Sequence, residues 1–250
     1  MKHKFSFAAV LLLLLAAEIA GRFYSPPWFA QAEVIFTRIL GAAVFLVLIR
    51  EMGYRVWKVR LNKKSAWILV LAGLVAVNNL PIYSLLTGRA VIHASAGQII
   101  LFTVECIAVG CFEELAFRGF LLPFLVSKSN KRTHTAFWAA FFSSMIFSLI
   151  HLVNLFDGAS PGAVLMQIGY TFLVGGMCAV VLVASKSVWI CVAIHAVYNF
   201  CGTIVPRLGE TQGWDTPTVI LTTVLASCTC ILYVRYLFRS DAEAKKLIET

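Results

Sequence analysis

The chain has 250 residues, 60% of them hydrophobic and only 13% charged, with a mean hydropathy of +0.85. Soluble domains carry about 25% charged residues, so a soluble globular protein is excluded and one integral membrane domain spanning residues 1–250 is expected. The net charge of +9 has no soluble basic face to occupy, which sets aside nucleic acid as a partner in favour of anionic headgroups and membrane topology.

Eight apolar segments follow in chain order, at about residues 5–20, 30–49, 66–86, 99–126, 134–156, 161–184, 187–205 and 216–238. The predicted fold class is therefore all-α: a polytopic membrane protein of about eight transmembrane helices around an intramembrane cavity. Turn or charge signals separate the segments, among them Ser25-Pro26-Pro27, the basic stretch from Arg50 to Lys64, and Asp157-Gly158. With the N-terminus inside, sixteen Lys and Arg fall in inner loops and only Arg22, Arg89 and Arg207 in outer ones. Basic loops stay cytoplasmic, so both termini are expected on the cytoplasmic side. The first segment also has the charged start and length of a signal peptide, but Glu18 and Leu15 sit where a cleavage site needs small residues, so an uncleaved helix is expected.

The second segment holds Glu33 and Arg38, and the third Asn78-Asn79-Leu80-Pro81. Pro81 is expected to kink its helix, with the two Asn satisfying freed backbone groups or bridging to a neighbour. The fourth segment contains Glu113-Glu114-Leu115-Ala116-Phe117-Arg118. Each charge near a membrane helix centre costs about 2.5 to 3.5 kcal/mol, so the three together need about 8 to 10 kcal/mol of compensation. Glu114 and Arg118 are spaced i, i+4 and can form a buried ion pair, whereas Glu113 points about 100° away and is free for chemistry. Helix-to-helix glue and an ion path are the competing readings of the cluster. Glu105, two turns earlier, can line the same space as Glu113.

The fifth segment supplies Phe147-x-x-x-His151 followed by Asn154, and the seventh supplies His195-x-x-x-Asn199, whose side chains leave one helix face together. Counted from the presumed inner ends at about 1.5 Å per residue, Glu113, His151 and Asn199 lie at about 20, 24 and 18 Å, and His195 at about 12 Å. The groups can share one layer, with His195 the furthest from it. The seven cysteines show no metal or disulfide spacing and read as small packing residues.

Taken in order on three segments, Glu113-Glu114-x-x-x-Arg118, Phe147-x-x-x-His151 and His195-x-x-x-Asn199 resemble the CPBP family of intramembrane proteases, which includes type II CAAX prenyl proteases and bacterial Abi proteins. The resemblance covers residues 99–205, the expected protease core. It implies an intramembrane endopeptidase in which Glu113 and His151 activate water, His195 and Asn199 stabilise the oxyanion, and Glu114 with Arg118 support the site. It also implies a metal-free glutamate mechanism. The alternative is a metallopeptidase with zinc or another divalent metal on Glu113, His151 and His195. Other protease classes lack their signatures: there is no H-E-x-x-H, no G-x-S-x-G and no aspartate within a segment. The expected partners are the bilayer and a peptide or membrane-protein substrate, prenylated or bacteriocin-like, in a bacterial cell membrane. A non-catalytic immunity or partner-binding protein of the same fold is the alternative function, and a transporter ranks below it.

Overall fold

A computed structural model describes residues 30–60, 63, 66–129, 132–211 and 215–249, together with positions 9, 12 and 16. The expected first segment at 5–20 lies almost wholly outside the described residues. The helices are α1 (Ala30–Glu51), α2 (Ala66–Asn78), α3 (Ile82–Leu86), α4 (Ala96–Glu114), α5 (Leu122–Ser129), α6 (Thr135–Leu149), α7 (Pro161–Ser185), α8 (Val188–Leu208), α9 (Thr216–Leu237) and α10 (Asp241–Lys245). Five of the described helices are long and apolar enough to cross a membrane, those over Gln31–Glu51, Thr135–Leu155, Pro161–Ser185, Val188–Leu208 and Thr216–Leu237. The all-α polytopic fold is borne out.

One helical rod runs through the centre. A π-helical stretch, Leu115–Leu121, joins α4 directly to α5. Every residue from Phe112 to Phe124 is buried, so the charged cluster sits at the core of the bundle. α1 and α8 pack along α4, α7 packs on α6 and α8, and α2 packs on α8 and α9. Outward faces stay apolar, with Phe36, Ile39 and Leu40 on α1 and Ile220, Val224 and Ile231 on α9 exposed, as lipid-facing surfaces require.

Local sequence sets the helix ends. Ser95 and Gln98 form a reciprocal capping box at the start of α4. Ser160 caps α7 ahead of Pro161, and Asp215 caps α9 by accepting from Thr218 N at 3.1 Å. Asp215 also accepts from Ser84 N at 2.8 Å, tying α3 to the start of α9.

One expectation is corrected. The third segment is not one span over 66–86: α2 stops at Asn78, and Pro81 begins the separate helix α3, because proline offers no N–H and pushes the preceding residue out of helical geometry. The two Asn bridge outward, Asn78 Nδ2 to Thr222 Oγ1 at 2.8 Å and Asn79 Nδ2 to the Tyr198 carbonyl at 3.1 Å. The fifth segment ends as a 3-10 turn, Ile150–Leu155, that carries His151. Two short strands, β1 (Ala90–Ile92) and β2 (Gly209–Thr211), pair antiparallel between the connections after α3 and α8. Gly209 permits this, since a Cβ there would collide with the Val91 carbonyl.

Candidate active site

Glu113 and Glu114 close α4, and Arg118 lies one turn on in the π-helical stretch. Glu114 and Arg118 are both fully buried. Such burial is tolerated only where opposite charge and donors replace water. Arg118 Nη1 lies 3.1 Å from Glu114 Oε1, and His195 Nδ1 donates to the same oxygen at 2.6 Å. The guanidinium lies over the Phe147 ring, 4.4 Å from its centroid, and 5.9 Å from that of Phe117. Gly175 leaves it room, since a Cβ there would come within 2.8 Å of Nη2. Ser143 Oγ donates to the Phe117 carbonyl at 3.0 Å, satisfying an acceptor in the widened turn.

Those contacts fix His195. Its Nδ1 carries a hydrogen because a carboxylate only accepts. Its Nε2 lies 3.4 Å from Glu113 Oε2. The imidazole in direct contact with Glu113 is therefore His195, which counting along parallel helix axes had left furthest away. His151 instead donates from Nδ1 to the Phe147 carbonyl at 2.9 Å, which leaves the Nε2 lone pair available. Phe147 binds the group together, with its ring centroid 5.2 Å from that of His151 and 6.0 Å from that of His195.

Glu113, His151, His195 and Asn199 all line one cavity of about 340 Å³. Glu114 and Arg118 do not line it; they sit behind His195. Glu105 faces the same cavity, where Arg207 Nη2 contacts both its carboxylate oxygens at 3.2 Å and Gln31 Nε2 donates to it at 2.7 Å. Sequence reasoning missed Gln167, Tyr170 and Thr171, which bring a polar face of α7 into the cavity. Their spacing of three and four residues was the available signal. It also placed Arg207 in an outer loop, whereas it ends α8.

A close approach of α4 and α8 holds the two carboxylates against His195. A Cβ on Gly110 would lie 3.2 Å from the Val192 carbonyl and 3.4 Å from Ala196 N, so glycine lets the backbones meet here without a tight contact. Gly110→Leu is expected to force the helices apart and lower kcat at least about tenfold while the protein still inserts. Proteolysis rate measured beside thermal stability checks this, and a wild-type kcat would remove Gly110 as a positioning residue.

Among the described residues no three or more His, Cys, Asp or Glu side chains are placed to hold a metal ion.

No curated protein and no solved structure matches the chain. The CAAX-type intramembrane endopeptidase reading, in general terms, rests on a family match together with the membrane-length helices. Residues 95–201, the stretch that contains all seven motif residues, match the family of type II CAAX prenyl endopeptidases, Rce1-like, and so bear out the resemblance of the three motifs.

Proposed function

We propose that the protein hydrolyses a peptide bond of a membrane-associated peptide or protein, with water activated by Glu113 and His151 and without a metal. The observation that supports this most is the convergence of a carboxylate, two imidazoles and a carboxamide from three helical segments on one cavity. Water held between the Glu113 carboxylate and His151 Nε2 gives up a proton as its oxygen attacks the scissile carbonyl carbon. The carbonyl oxygen gains the negative charge and accepts hydrogen bonds from Asn199 Nδ2 and His195 Nε2. Collapse expels the amine, which takes the proton held by the base. Glu114 and Arg118 keep His195 oriented, since the Nδ1–Glu114 bond directs Nε2 to the cavity.

A second, apolar cavity of about 350 Å³ adjoins the first and shares Tyr170, Val174 and Tyr198 with it. It supports a substrate with a bulky apolar side chain or lipid substituent beside the scissile bond, a description that suits prenylated and bacteriocin-like peptides alike. The basic loops support termini on the cytoplasmic side, and the short, thoroughly apolar chain supports one integral domain over residues 1–250 and a bacterial cell membrane location.

The test is a comparison of peptides released by membranes carrying the wild-type protein or Glu113→Ala. Peptides that appear only with the wild type are expected. Identical peptide profiles, with Glu113→Gln keeping full biological activity, would leave the non-catalytic immunity or partner-binding reading.

A further inference from the structure

A second polar hollow, of about 360 Å³ and sharing no lining residue with the catalytic cavity, lies beside the ends of α1, α7 and α10. Arg55, Lys58, Arg60, Lys186 and Lys246 line it. Among the described residues one carboxylate pairs there, Glu243, 3.0 Å from Lys186 Nζ and 2.6 Å from Lys246 Nζ. Five cations against one carboxylate leave a strong positive excess, and like charges gathered at a concave site repel one another unless an anion joins them.

The hollow is built rather than incidental. Arg55 N donates to the Leu247 carbonyl at 2.8 Å, Arg60 N to the Ser185 carbonyl at 2.7 Å, and Val188 N to the Val56 carbonyl at 2.8 Å. These backbone bonds clamp the loop after α1 onto both the α7–α8 turn and the C-terminal segment. Lys186 occupies the turn in left-handed geometry, φ 60°, and is only 5% exposed. Burial pulls its pKa below the usual lysine range, against the opposing pull of Glu243.

We infer that this hollow binds the phosphate of an anionic phospholipid headgroup. The shared chemistry is a phosphate anion, and the surroundings favour a lipid over a free ion. Trp57 lines the hollow and packs on Trp189, 6.1 Å between ring centroids; Trp189 opens α8 and is exposed, as tryptophans at the headgroup level are. Val59, between Lys58 and Arg60, is also exposed and offers apolar surface to an acyl chain beside the cations. Basic pockets at the cytoplasmic ends of membrane helices suit such headgroups. The site is independent of the protease reading.

The test follows thermal unfolding of the purified full chain in detergent with added phosphatidylglycerol, phosphatidylcholine or inorganic phosphate. Only phosphatidylglycerol is expected to raise Tm, because a ligand of the folded state stabilises it. The variant R55Q/K58Q/R60Q changes exposed side chains and leaves the backbone clamps intact, so its lipid-free Tm should match the wild type. Its apparent affinity for phosphatidylglycerol should fall about a hundredfold. Should the triple variant fold poorly, Lys58→Gln alone should weaken binding about fivefold. An equal response to phosphatidylcholine, or undiminished binding by the variants, would overturn the assignment. An equal response to inorganic phosphate would overturn the lipid source.

Discussion

Glu113→Gln is expected to slow peptide release about 10³-fold or more, and His151→Ala about 10² to 10³-fold, with both proteins inserted and folded like the wild type. Gln keeps the size of the side chain and still reaches His195, but it cannot accept a proton from water. His151 makes its hydrogen bond to the backbone through Nδ1, so its loss removes the free Nε2 base without unseating a charge. Single-turnover cleavage beside thermal unfolding separates the two effects. Wild-type rates in either variant would remove that residue from the chemistry.

The largest stability effect is expected at Arg118. Arg118→Ala leaves the Glu114 carboxylate fully buried beside His195 alone, and breaking a buried pair by removing one partner costs about 3 to 5 kcal/mol. Removing both charges is a different experiment. In E114L/R118M apolar side chains fill similar volume, and buried pairs replaced in this way are neutral or even stabilising. Stability should therefore return in the double variant while activity stays low, because His195 Nδ1 loses the acceptor that orients it. A double variant as unstable as Arg118→Ala would show that the pair holds the fold by more than charge balance.

The motif residues were legible because charge in an apolar run is conspicuous. Glu114 and Arg118 could be paired from helical spacing alone, and they are paired in the structure. The contact of His195 with both Glu113 and Glu114 was not legible. Counting depth along each helix assumed parallel rods of uniform rise, whereas α4 runs into a π-helical stretch and meets α8 backbone to backbone at Gly110. A π turn leaves no pattern in local residue preference; it is fixed by tertiary partners such as Ser143 at the Phe117 carbonyl. Phe147 stood out only as a motif position, and only packing reveals it as the ring under Arg118 and between the two imidazoles. The end of α2 at Asn78 was half legible: Pro81 signalled a disturbance, but whether a helix kinks or stops depends on partners for the freed groups. The side-chain amides of Asn78 and Asn79 bridge to α9 and α8 where the helix stops.

The basic hollow follows the same rule. Its residues come from positions 54–60, 186 and 246, which the sequence showed as separate inner-loop charges. Backbone hydrogen bonds between the three segments, invisible to composition, turn dispersed topology signals into one site.

The central claim is that Glu113 and His151 act on water directly. Cleavage by the purified, exhaustively chelated protein in ¹⁸O-labelled water addresses it most directly. The account predicts an unchanged rate with a single labelled oxygen in the new carboxylate. Activity lost on chelation and restored by zinc would contradict it.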